Sequence, residues 1–184
     1  MNPIDELKQE HRAIEGALEI LESIARRVPQ AEAVADARQL VAFFRTFADT
    51  CHHGKEEQVL FPTLEELGVS RQNGPIGVML AEHDQGRKHI QGMLDALEAA
   101  AAGGQMPADQ FRDHACGYAR LLRQHIEKED SVLFVIAARL LSPADKARLD
   151  QEFLRIEQDV VGEGRHEELH RLLDAFGKKY PSEK

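Results

Sequence analysis

The chain predicts an all-α fold, an up-down-up-down four-helix bundle with a C-terminal helical extension, on three observations. Ala, Leu, Glu, Gln and Arg dominate its 184 residues, Trp is absent and β-branched residues are sparse, a composition that favours helices. Apolar residues recur at helical spacing in segments separated by short breaks marked by Gly and Pro, and short connections favour antiparallel neighbours. One cassette occurs twice, as HHGKEEQVLF from His52 to Phe61 and HIEKEDSVLF from His125 to Phe134, so the chain reads as two copies of one hairpin.

The elements follow in order. Asn2 and Pro3 make an N-cap and first-turn pair, after which Ile4, Leu7, Ile14, Leu18, Leu21 and Ile24 keep helical spacing as far as Pro29. A second helix is expected from about Ala31 to Leu67, with Leu40, Phe43, Phe44 and Phe47 on its inner face, a candidate kink at Pro62 and a stop at Gly68. Gly74-Pro75 opens a third helix that runs through Met79, His83, Ile90, Met93 and Leu97 until Gly103-Gly104. Pro107 begins a fourth, through Phe111, Tyr118, Leu122, His125 and Val132, which Ser142-Pro143 breaks. Ser142 caps a fifth helix to about Val161. After Gly162-Glu163-Gly164 a sixth carries His166, Leu169, His170 and Phe176 to near Tyr180. Residues 1–141 then form the bundle and 142–184 the extension.

Bulk properties exclude several function classes. The net charge of -9 is spread over helix faces of mixed sign, which speaks against nonspecific nucleic-acid binding. The longest apolar run, Val132 to Ala138, is far short of the roughly 20 residues of a membrane span. The polar, helix-capped N-terminus lacks the apolar core of a signal peptide, so a cytoplasmic location is expected. Cys51 and Cys116 form no CxxC spacing and are expected as thiols without an assigned role.

The chemistry lies in the cassettes. Residues i and i+4 share one helix face, so His52 with Glu56 and His125 with Glu129 each set an imidazole beside a carboxylate. Upstream, Glu10-His11 precedes His52 and Glu82-His83 precedes His125 at nearly equal distances, so each hairpin adds a lone His from its first helix. Neutral imidazoles and carboxylates without thiolate suit iron, manganese or zinc. The symmetrical arrangement puts His11 and His52 on one metal and His83 and His125 on the other, with Glu56 and Glu129 bridging. Two carboxylates offset only part of the charge of a diferrous pair, so an anionic oxygen ligand such as hydroxide, oxide or peroxide is expected to complete it. A structural zinc site is the competing occupant.

Other polar residues are set beside these. His53 and Glu57 form a rival HxxxE pair rotated by about 100° on an α-helix. The repeat aligns His53 with Ile126 and assigns it to packing around the ligands. His89 and His114 read as ordinary interior or surface groups, and Phe43, Phe44 and Phe47 as core. The His166/His170 pair reads as a surface pair, a second metal site or extra ligands. Arg87 stands four residues after His83, where a further ligand would point inward, but a guanidinium cannot bind a metal. It either orients bound peroxide or superoxide, a catalytic role, or forms an ion pair with a carboxylate such as Glu15.

The pattern of His11, HxxxE at 52–56, HxxxR at 83–87 and HxxxE at 125–129 resembles the hemerythrin-like, or HHE cation-binding, family over roughly residues 1–141. The resemblance implies a four-helix bundle around two iron ions, a non-haem di-iron centre with an oxo or hydroxo bridge, held by His11, His52, Glu56, His83, His125 and Glu129. Oxygen-carrying members have HxxxH on the third helix where this chain has His83 and Arg87, and His166 is a candidate replacement. The EHDQGR wording is similar to a bacterial branch in which HxxxR replaces HxxxH. It implies a small diatomic or peroxide ligand, in a redox-stress or sensing role. Catalase-like decomposition of peroxide and iron storage or iron-centre repair are the alternatives, with no nucleic-acid or membrane partner.

Overall fold

The computed structural model describes residues 2–101, 104–161 and 165–181, with the side chains of 160, 161, 165–167 and 170 outside the description. Among them six helices occur and no strand, as the composition predicts. Helix α1 is Pro3–Ala25. Helix α2, 31–66, starts as α-helix over Ala31–Phe43, turns π-helical over Phe44–His53 and Glu56–Leu60, and closes as α-helix over Phe61–Glu66. Helix α3 is Pro75–Ala101. Helix α4, 108–140, is interrupted by a π-helical turn over Glu129–Leu133. Helices α5, 143–161, and α6, Arg165–Lys179, follow.

The helix ends are built by local chemistry. The Asn2 side chain accepts from the Ile4 N–H at 3.2 Å, and Ser142 and Asp145 form a reciprocal capping box at the start of α5. Gly68, at φ +92°, ends α2: its N–H donates to Glu65 O at 3.0 Å and the Val69 N–H to Leu64 O at 2.9 Å. That paired closure requires a left-handed residue, which glycine adopts without steric cost. Pro62 does not end α2. Its missing N–H falls where the π-helical turn passes back into α-helix, a place where the regular bonding is already interrupted.

The core falls into two apolar clusters. One holds Ile4 and Leu7 from the start of α1, Leu60, Phe61 and Leu64 from the end of α2, Ile76 and Met79 from the start of α3, and Leu133, Phe134 and Ala137 from the end of α4. The other holds the opposite end of each helix, including Leu18, Phe44, Met93 and Phe111. This alternation of starts and ends makes α1 to α4 antiparallel in sequence order. Leu149 and Phe153 of α5 join the first cluster, and Leu169 and Phe176 of α6, with Tyr180, join the second. The extension therefore completes both apolar layers. Burial of such side chains stabilises by roughly 1.5–3 kcal/mol each, and it holds apart a layer of buried polar groups between the two clusters.

Candidate metal centre

That layer contains the six residues singled out in the sequence. His11, His52, Glu56, His83, His125 and Glu129 are all buried, two from each of α2 and α4 and one from each of α1 and α3. His53 is buried with them, 2% exposed. One donor atom from each of His11, His52, Glu56 and Glu129 lies within 4.8 Å of the others, and the same holds for His53, Glu56, His83 and His125. That span is close to the roughly 4 Å between opposite ligands on an ion with bonds of about 2.0–2.1 Å. Glu56 belongs to both groups. Its Oε1 stands 3.8 Å from His52 Nε2 and its Oε2 3.4 Å from His83 Nε2. Glu129 Oε2 stands 3.2 Å from His11 Nε2 and 3.1 Å from His125 Nε2. Each carboxylate thus reaches from one group of imidazoles to the other.

Four imidazoles are oriented from behind by carboxylates. Nδ1 of His52 meets Glu10 at 2.7 Å, and Nδ1 of His125 meets Glu82 at 3.1 Å. Across the hairpins, Nδ1 of His83 meets Glu57 at 2.7 Å and Nδ1 of His11 meets Asp130 at 2.9 Å. An ionised carboxylate only accepts, so each Nδ1 carries the proton, and Nε2 is left to offer a lone pair to the centre. The arrangement is two-fold: the residue before the first-helix His supports the same hairpin's cassette His, while the residue after the cassette Glu supports the other hairpin's His. Cations then hold the carboxylates. Lys55 donates to Glu6 at 2.7 Å, Glu10 at 2.6 Å and Glu157 at 2.6 Å, and Lys128 pairs with Glu82. Glu10, Cys51 and Glu157 also lie close together, but the Lys55 ammonium already binds both glutamates.

The unsatisfied atoms point to a ligand. Nε2 of His11 and His52, both nitrogens of His53, and both oxygens of Glu56 and Glu129 are buried without a hydrogen-bond partner. Such a group costs about 1–3 kcal/mol when left unpaired, more if charged. His83 Nε2 and His125 Nε2 face each other at 3.2 Å, and with protons held on both Nδ1 atoms that contact needs a cation. In the metal-free protein protons supply it. Burial opposes charging His125, but Glu129 and Glu82 outweigh it and bring its pKa to about 10. His11 behaves alike, burial being outweighed by Asp130 and Glu129, at about 9. Burial also opposes ionising Glu10, yet His52 and Lys55 hold it down at about 2. His53 is the reverse: burial, then the neighbouring His83, His52, His125 and Arg87, hold it well below the usual imidazole range. A neutral imidazole is the form a metal takes.

The structure adds to two expectations. His53 packs around the ligand candidates, but closer to their donor atoms than the repeat implied. Its ring stacks on His83 with centroids 3.8 Å apart and it stands among the donor atoms of one group. The physical reason is the π-helical stretch before it: a turn widened by one residue moves successive side chains through less than 100°, so His52 and His53 both face inward. The matching position Ile126 lies on regular α-helix, and there the apolar residue packs in the core. The signal available was the His52-His53 doublet itself. Arg87 forms ion pairs, the second of its two expected roles, with carboxylates other than Glu15. Its guanidinium binds Asp49 at 2.8 Å, Glu57 at 2.6 Å and Asp84 at 3.1 Å, so it positions Glu57 behind His83. Glu10, Glu57, Glu82 and Asp130, and the lysines that hold two of them, were missed as functional residues. Their signal lay in the repeat, as the Glu-His pairs and the Lys three residues after each cassette His. His166 and His170, candidates for further ligands, have side chains outside the described residues.

Comparison with known proteins agrees with this geometry. Residues 2–137 match the model of the hemerythrin HHE cation-binding domain. The chain belongs to the hemerythrin HHE cation-binding family. Among the relatives, uncharacterized proteins of Mycobacterium tuberculosis and Mycobacterium bovis are 27% identical over 164 residues, 86% of this chain. The match spans 62% of the length of those relatives. The iron-sulfur cluster repair protein YtfE of an Enterobacter species is 33% identical over 89 residues, 45% of this chain and 39% of that protein. No helix among the described residues is long and apolar enough to cross a membrane.

Proposed function

We propose that the chain is a non-haem di-iron protein that binds or reacts with dioxygen, peroxide or nitric oxide in a redox-stress or sensing role. The observation that carries this reading is the layer of buried inward donors, five imidazoles and two carboxylates, of which three imidazoles and both carboxylates hold atoms without a hydrogen-bond partner, sealed between two apolar clusters. One ion would be held by His11, His52, Glu56 and Glu129, the other by His53, His83, His125 and Glu56, with Glu129 in reach of both. Iron so held supplies redox electrons and open coordination positions to a small ligand. The chain's own groups do the rest: Glu10, Glu57, Glu82 and Asp130 fix the imidazole tautomers, and Leu60, Phe61 and Phe134 on one side with Phe47 and Ile126 on the other exclude bulk water. The imidazole that HxxxR removes from the third helix is restored by His53 from the second.

The test is the optical spectrum of anaerobically reduced, iron-loaded protein before and after air, nitric oxide and peroxide. A persistent spectral change with dioxygen or nitric oxide supports binding, and repeated oxygen evolution from peroxide supports the enzymatic form of the same reading. Unchanged spectra with all three would contradict it. The YtfE match favours one second reading, repair of iron centres, which predicts iron transferable to an apo acceptor protein.

A further inference from the structure

A second pair of imidazoles lies outside the polar layer. His89 follows His83 by six residues and His114 precedes His125 by eleven, so they stand roughly 9 and 16 Å along α3 and α4 from those ligand candidates. Their Nδ1 atoms are 3.4 Å apart, with ring centroids separated by 5.5 Å and planes inclined at 70°. Both rings are half-buried. A glycine on the facing helix seats each. A Cβ on Gly92 would fall 2.2 Å from His114 Nε2, and one on Gly117 would fall 2.4 Å from His89 Cε1. The arrangement is reciprocal, because each helix carries HxxG: the histidine of one lies in the notch left by the glycine of the other.

The separation suits a shared ion as well as a long hydrogen bond. Nitrogens joined by a hydrogen bond most often stand about 2.9–3.0 Å apart, and 3.4 Å is at the far end of that contact. Two nitrogens bound at about 2.0–2.1 Å to one tetrahedral ion stand about 3.4 Å apart. We propose that His89 and His114 form a bis-imidazole site for a borderline divalent cation, zinc or copper, held through the two Nδ1 atoms and independent of the di-metal layer. Imidazole nitrogen is a preferred donor for both metals. Burial, with the nearby His114 and Arg120, keeps His89 below its usual imidazole range, so its lone pair is free at neutral pH. The same Arg120 charge, and a coordination sphere completed by water, make the ion exchangeable rather than permanent. Once bound, it ties α3 to α4 within the second hairpin.

The test is equilibrium dialysis of the iron-loaded protein against zinc, comparing the wild type with His89→Ala and His114→Ala. The wild type should hold about one more zinc ion per chain than either variant, as a two-nitrogen site requires both imidazoles. Zinc should also raise the melting temperature of the wild type but not of the variants. His89→Gln and His114→Asn serve where an alanine variant fails to fold. Either histidine being replaceable without loss of zinc would overturn the site. Because every protein compared keeps the same His and Glu layer, the result does not depend on what that layer binds.

Discussion

His53 offers a direct test of the proposed centre, because both its nitrogens are buried without a hydrogen-bond partner, Asp49 standing 3.5 Å from Nδ1. Replacing it with leucine removes an unsatisfied group from the metal-free protein, so the metal-free His53→Leu variant should be as stable as the wild type, or more stable by about 1 kcal/mol. The same variant should lose one of the two metal sites. Urea denaturation together with metal analysis checks both, and a variant that is destabilised with unchanged metal content would return His53 to packing. The pKa directions give a second prediction at this scale. With His11 at about 9 and His125 at about 10, both raised above the usual imidazole value, the metal-free protein holds these protons at neutral pH. Their stabilising ion pairs are fully present below the unfolded imidazole pKa and are lost as pH rises through about 9 to 10. Metal uptake near pH 7 should therefore release about two protons from this pair, and affinity should increase with pH up to that range. Titration in weak buffer with an indicator measures the release. At the residue scale the sequence carried the cassette residues through their duplication. It set His53 aside as a rival, because duplication argues only for what both copies share.

The elements explain why two similar hairpins are not equivalent. Both cassettes meet π-helical turns at or near their ligand candidates, but α2 is π-helical from Phe44 and α4 only from Glu129. No apolar periodicity announces such a shift, since one extra residue in a turn leaves the composition of the face nearly unchanged. The matched lysines differ too. Lys55 is fully buried among Glu6, Glu10 and Glu157, the last supplied by α5, and its ammonium lies 5.6 Å from the Phe153 ring centroid. Lys128 is 41% exposed and pairs with Glu82. Lys55→Met leaves three carboxylates facing each other without a cation and should cost about 3 kcal/mol or more. Lys128→Met should cost about 1 kcal/mol or less, as water screens that pair. Equilibrium unfolding of the two variants checks the contrast; equal costs would mean that α5 adds nothing to the support of His52.

For the molecule as a whole, the helix order was legible because its punctuation is local: Asn2-Pro3, Gly68, Gly74-Pro75, Pro107 and Ser142-Pro143 each act on their own backbone. The level at which the ligand candidates meet was legible from their equal spacing within the hairpins. Less legible was the extension, whose apolar residues complete both clusters and whose Glu157 reaches Lys55, since contacts more than a hundred residues apart leave no periodic trace. The layered plan, with apolar, polar and apolar zones along one bundle, sets two unlike groups of donors in the polar zone, one with three imidazoles and one with two, which the proposed centre would occupy. Counting iron in the reconstituted protein, together with its Mössbauer spectrum, tests that claim most directly. The account predicts about two irons per chain in two distinguishable environments, as unlike ligand sets require. A single iron, or zinc alone after loading under iron-replete conditions, would contradict it.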